Sequence, residues 1–329
     1  MTHEHAQRPL VRAAATLAAL VMGGFMALQP RVNGQLGAEL DDGLLAAFYS
    51  FGSGTVALAL ALVVWSPGRR GLGLLGDAIR DKRMTPWFLI GGFAGALMVL
   101  SQGLTAALLG VAVFTVALVG GQTLGSLLVD RYGVGTMLPT PLTPPRLVGA
   151  ALAVAAVVWA VSDRLNGDIP WWMLALPFVA GMFTSWQAAA NAQLRVHARS
   201  VLSATFVSFL AGTLVLAIAS AIRIGAVGFP QSLPSEPWLY SGGLLGIVFI
   251  AGSTAIVPVT GVLVYGLATI AGQLLVAVLL DLVFPVAGSG LSVATVGGAA
   301  LAVIAVAIAS FRRPPRRHAV TAGSGAPAG

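Results

Sequence analysis

Apolar residues dominate ten stretches of the chain, at roughly 10–29, 44–65, 87–105, 110–129, 147–162, 171–189, 201–222, 238–257, 261–280 and 291–311. Each is close to the ~20 residues an α-helix needs to cross a bilayer. Within these stretches the apolar residues run continuously, which predicts an all-α, polytopic membrane protein. The polar positions carry a second pattern. Gln29 to Leu58, QPRVNGQLGAELDDGLLAAFYSFGSGTVAL, returns at Gln187 to Leu216 as QAAANAQLRVHARSVLSATFVSFLAGTLVL. At an offset of 158, twelve of thirty columns are identical: Gln29, Asn33, Gln35, Leu36, Leu44, Ala46, Phe48, Ser50, Phe51, Gly54, Thr55 and Leu58. Several matches are polar, so shared hydrophobicity does not explain them, and the chain reads as an internal duplication.

Later helices repeat at an offset of 151. Trp87, Gly91, Gly92, Gly95, Gly110, Gly121, Gln122 and Asp130 meet Trp238, Gly242, Gly243, Gly246, Gly261, Gly272, Gln273 and Asp281. Each half therefore holds five helices, and an odd number sends the second half into the membrane from the opposite side. The expected organisation is an N-terminal tail (1–9), a first repeat (10–165), an inverted second repeat (166–311) and a disordered basic tail (312–329). Inverted repeats are a common architecture of secondary transporters.

Charge fixes the orientation. With the N-terminus cytoplasmic, inside segments hold fifteen Lys and Arg residues, among them Arg69, Arg70, Arg146, Arg195 and Arg312, while outside segments hold only Arg31, Arg164 and Arg223. Under the positive-inside rule both termini are cytoplasmic and the loop 163–170 is outside. The chain is 57% hydrophobic and 9% charged, with a mean hydropathy of +0.90 and net charge +7. Because the positive charge follows one membrane face, its expected partner is anionic lipid and not nucleic acid. The chain has no cysteine and four histidines, of which His3, His5 and His318 lie in the tails and His197 among arginines. No metal site or other cofactor is expected. Metalloprotease and phosphate-loop motifs are absent, and Gly-x-Ser-x-Gly does not occur in a strand–turn–helix setting, so no enzyme is expected.

The run Gln-x-x-x-Asn-x-Gln-Leu, followed by Ala-x-Phe-x-Ser-Phe-x-x-Gly-Thr, resembles the YdcZ-type family of the drug/metabolite transporter superfamily. It stands here as Gln29, Asn33, Gln35 and Leu36 with Ala46, Phe48, Ser50, Phe51, Gly54 and Thr55, and again from Gln187 to Thr213. The resemblance runs from about Leu10 to Phe311. It implies ten helices in two inverted halves, a cytoplasmic-membrane location and export of a small molecule. Pro30 departs from the pattern, since the second copy has Ala188 there.

Candidate site residues are the polar side chains that lipid would penalise. Gln29 and Asn33 are four apart and share a helix face, as do Gln187 and Asn191. Gln122 and Gln273 fall about twelve residues into their helices, with Thr115 and Ser126 on the stripe of the first and Thr269 on that of the second. Gln29, Asn33, Gln187, Asn191, Gln122, Gln273, Thr115 and Thr269 are expected either to line a substrate cavity or to tie helices together through hydrogen bonds. Asp130 and Asp281 are the matched carboxylates, at helix ends, and could serve proton coupling or be ordinary interfacial acids. The expected function is a secondary transporter of a neutral or amphipathic solute working by alternating access, compatible with a homodimer. The alternative is a non-transporting membrane scaffold that uses the same helices for partner contact.

Overall fold

The computed structural model describes residues 2–133, 139, 141–162, 170–230, 232–260, 262–285 and 292–310, with side chains not described at 2–9 and at several positions between 251 and 263. Among these residues the chain is helical throughout: α1 (Thr2–Glu39), α2 (Gly43–Val64), α3 (Ser66–Arg80), α4 (Gly92–Ser101), α5 (Ala107–Leu109), α6 (Val111–Tyr132), α7 (Pro144–Val161), α8 (Trp171–Ala198), α9 (Val201–Val227), α10 (Gly242–Thr260), α11 (Val262–Val283) and α12 (Val293–Ser310). A 3-10 turn (Pro86–Gly91) leads into α4, and a π-helical turn (Gln102–Ala106) joins α4 to α5, so that Pro86–Leu109 forms one span. Nine helices among the described residues are long and apolar enough to cross a membrane, and Pro237–Ile250 is a shorter apolar helix. The protein is a multi-pass membrane protein. The expected tail 312–329 and most of the loop 163–170 lie outside the described residues.

Two elements differ from the sequence reading. Helix α1 does not stop near residue 29 but continues through Pro30 to Glu39, which puts Asn33 inside a helix rather than at its end. The basic segment after α2 is itself a helix, α3, whose Gly68, Gly71, Leu75 and Ala78 are buried while Arg69 and Arg70 are exposed. Its buried stripe packs on α8 and α9, with Gly71 against Ala198 and Ser203 and with Leu75 and Ala78 in one cluster with Ala190 and Leu194. Its four glycines, its one proline and its charges keep it from reading as a long apolar run.

Residues matched in sequence occupy matched places. Asp41 and Arg199, 158 apart, both take left-handed conformations, at φ 49° and 50°, as they end α1 and α8. The next residues start the following helices: Asp42 Oδ1 accepts from Leu44 N and Leu45 N at 3.0 Å, and Ser200 Oγ accepts from Ser203 N at 3.2 Å. Such caps satisfy orphan N–H groups that lipid cannot. Asp42 also pairs with Arg223 at 3.2 Å.

Small residues set the packing. A Cβ on Gly92 would strike the Ser208 carbonyl, and one on its mate Gly243 would strike the Ser50 carbonyl. Likewise Gly121 abuts the Phe178 carbonyl and Gly272 the Leu20 carbonyl, while Gly181 and Gly23 meet Leu118 and Thr269. Backbone-to-backbone approach of this kind is how membrane helices gain dispersion energy where no hydrophobic effect separates helix from lipid. Where α2 crosses α9, matched residues touch one another: Phe51 stacks on Phe209 at 5.0 Å, and Thr55 and Thr213 share a hydrogen bond of 2.6 Å.

Candidate substrate cavity

Around the Phe51–Phe209 stack the helices part to leave a cavity of about 1010 Å³. Its wall is largely apolar, with Met26, Met98, Phe249 and Ile270 among its members, and is interrupted by Gln29, Gln122, Ser126, Ser185, Gln187 and Asn191. The lining extends to Asp130, Arg146 and Ser310 at one end of the bundle.

The local folding explains the polar groups. Gln122 and Ser126 are one turn apart on α6, and Ser185 of α8 reaches both: its Oγ donates to the Gln122 carbonyl at 2.9 Å and lies 3.2 Å from Ser126 Oγ. Gln187 Nε2 donates to Ser208 Oγ at 3.2 Å, and Gln29 Nε2 donates to the Gly242 carbonyl at 3.0 Å. Gly95 leaves the room that Gln187 fills, as Gly246 does for Gln29, since a Cβ at either glycine would press on the amide. Asn191 lines the cavity with its buried Oδ1 lacking a protein partner.

At the mouth, Arg146 Nη2 donates to Asp130 Oδ2 at 2.6 Å, with the arginine side chain 13% exposed and the aspartate 32%. Arg146 Nη1 is buried without a partner. From sequence Arg146 is only a topological charge, because nothing in one dimension shows that α7 brings it back to the end of α6. Phe51 and Phe209 were likewise recognised as repeat markers and not as a cavity wall.

The other expected site residues lie elsewhere. Asn33 is fully buried and its Nδ2 donates to Gln102 Oε1 at 2.6 Å. Gln102, in the π turn, is a polar residue that the repeat pattern did not single out. Gln122 and Gln273 do not share one lining: Gln273 is buried on the stretch of α11 against which Gly23 of α1 packs, with Nε2 unpartnered. Thr269 donates to backbone carbonyls of its own helix, and Thr115 is buried outside the lining. Asp281 lies at the opposite end from Asp130. Its Oδ1 accepts from Val111 N at 2.8 Å and its Oδ2 from Ala112 N at 2.7 Å, so it caps α6 where Gly110 turns at φ 82°.

Among the described residues the cavity lining thus reaches the end that holds Asp130 and does not include Asp281 at the other end, where Asn33–Gln102 and Asp42–Arg223 tie the helices. The family model described as "Putative inner membrane exporter, YdcZ" matches residues 14–159 and 171–308. The chain belongs to the YdcZ family. The two matched segments of this YdcZ-family protein fall within the two halves expected from its internal repeat. Among curated proteins no match is found. A solved crystal structure resembles the chain over 91% of its length and 96% of that structure's, at 21% identity and a TM-score of 0.51. That likeness is one of fold.

Proposed function

We propose that this YdcZ-family protein is a secondary transporter of the drug/metabolite type, built of ten membrane helices in two inverted five-helix repeats, which exports a small neutral or amphipathic solute by alternating access. The observation that carries the reading is the cavity of about 1010 Å³, whose lining includes Asp130 and Arg146 at one end of the bundle and, among the described residues, not Asp281 at the other. Its volume is at the upper end of the ~300–1,000 Å³ range of small-molecule sites, and its mostly apolar wall with a few amides suits an amphipathic guest. A scaffold would be expected to fill that space, since an unfilled void costs dispersion contacts.

The inverted arrangement is supported by reciprocal contacts, in which Gln29 faces Gly246 as Gln187 faces Gly95, and Phe51 meets Phe209. In that arrangement Gln29, Gln122, Gln187 and Asn191 contact the solute. By the positive-inside reading the open end, with Asp130 and Arg146, faces the cytoplasm and takes up the solute there. The test is solute flux in proteoliposomes across a metabolite panel, with Gln122→Leu and Gln187→Leu as variants. Each should lower flux while preserving folded yield; normal flux per folded molecule in both would remove these amides from the site.

A further inference from the structure

The repeat makes Asp130 and Asp281 equivalent, yet the structure holds them differently. Asp281 is 6% exposed and accepts two backbone N–H bonds from the first turn of α6. Asp130 makes no such cap. It stands at the cavity mouth on Arg146. The residues Asp281 grips, Gly110–Val111–Ala112, match Gly261–Val262–Leu263 at the start of α11. In a protein whose halves exchange conformations, the two ends of the bundle exchange contacts as well.

We propose that Asp281 and Asp130 form a reciprocal latch: Asp281 on the α6 N-terminus holds the present state, and Asp130 on the α11 N-terminus holds the oppositely open one. The inference rests on the alternating-access reading and makes the two carboxylates positioning residues. Helix N-termini favour anions through unpaired N–H groups and the helix dipole, so each latch is strong when closed. Opening one leaves N–H groups to be resolvated, which the newly wetted end permits. Arg146 holds Asp130 while it waits. The pair is largely buried, so releasing Asp130 costs the arginine its partner, and the exchange goes forward only because two charge-assisted bonds at the α11 N-terminus replace that one ion pair. Gly110 belongs to the latch, since a Cβ there would lie 2.8 Å from Asp281 Oδ2 on a backbone at φ 82°.

The cysteine-free chain supplies the test. Ser126 is exposed and lines the cavity, and its mate Ala277 is fully buried at the closed end. Ser126→Cys therefore reports the present state and Ala277→Cys the opposite one, by rate of maleimide labelling in proteoliposomes. Labelling of a minor state scales with its population. Asn cannot accept two N–H bonds on its two amide atoms, so Asp281→Asn should raise Ala277→Cys labelling by about tenfold, as loss of one charge-assisted bond predicts. Asp130→Asn should lower it by a similar factor and leave Ser126→Cys reactive, and the double variant should return near the parent. If Ala277→Cys does not fold, Ala27→Cys, also fully buried and packed in the same cluster as Ala277, takes its place. Equal shifts in both single variants, or none, overturn the latch. A general loosening would instead raise labelling at both reporters in both variants, which also overturns it. Solute flux in the same vesicles separates the two readings: flux with unshifted labelling defeats the latch alone, whereas no flux of any solute together with an unreactive Ala277→Cys defeats alternating access as well.

Discussion

The Asn33–Gln102 hydrogen bond offers a quantitative check on how the closed end is held. Both side chains are 0% exposed, and the bond of 2.6 Å joins α1 to the π turn. Gln102→Met keeps the volume and removes the acceptor, leaving the Asn33 amide buried with an orphan donor. Such an orphan costs ~1–3 kcal/mol in soluble proteins, whereas side-chain hydrogen bonds between membrane helices average ~0.6 and reach ~1.7 kcal/mol. The membrane average is low because the loosened state finds substitute partners. Here Asn33 Oδ1 and Gln102 Nε2 already lack partners, so substitutes are scarce and the upper value applies. A loss of about 1.7 kcal/mol is roughly a 20-fold change in an equilibrium constant. Asn33→Leu should cost about the same, and the double variant little more than either single one, because it removes donor and acceptor together. The assay is reversible unfolding in mixed micelles by SDS titration, read as a double-mutant cycle. A coupling energy below ~0.3 kcal/mol would show that the bond contributes nothing and that Asn33 holds its place through packing alone.

Gly92→Val and Gly243→Val should each abolish folded protein, since the added atoms meet the Ser208 and Ser50 carbonyls, whereas Gly73→Ala, in open space on α3, should be silent in yield and melting temperature. Gln273→Leu, which removes a buried amide with an unpartnered Nε2, should leave stability at or above the parent and flux unchanged, whereas Gln122→Leu lowers flux; equal flux defects in both would place the two glutamines in one site after all. Single cysteines at Ser162 and Ser200 should react with an impermeant maleimide from opposite sides of the membrane, and reaction from one side would refute the inverted halves.

Membrane class and family were legible in the sequence because they depend on quantities a chain carries in one dimension: the length of apolar runs and the spacing of a few polar motif residues. Caps were nearly legible too, since Asp42 and Ser200 act on residues two or three positions away. Helix bounds in polar territory were not. Asn33 lies buried inside α1, where its amide bonds Gln102, 69 residues on, a partner that no local spacing announces. The cavity was half legible. Gln29, Gln122, Gln187 and Asn191 stood out as polar residues in lipid, but the wall they join is made by Phe51, Phe209 and Arg146, whose role depends on which helices cross. The largest gap concerns symmetry. Sequence identity makes Gln122 equal to Gln273 and Asp130 equal to Asp281, and so assigns one role to each pair. Only the folded chain separates them: it places Gln122 on the cavity wall and buries Gln273, and it gives Asp281 a helix to cap while leaving Asp130 on Arg146.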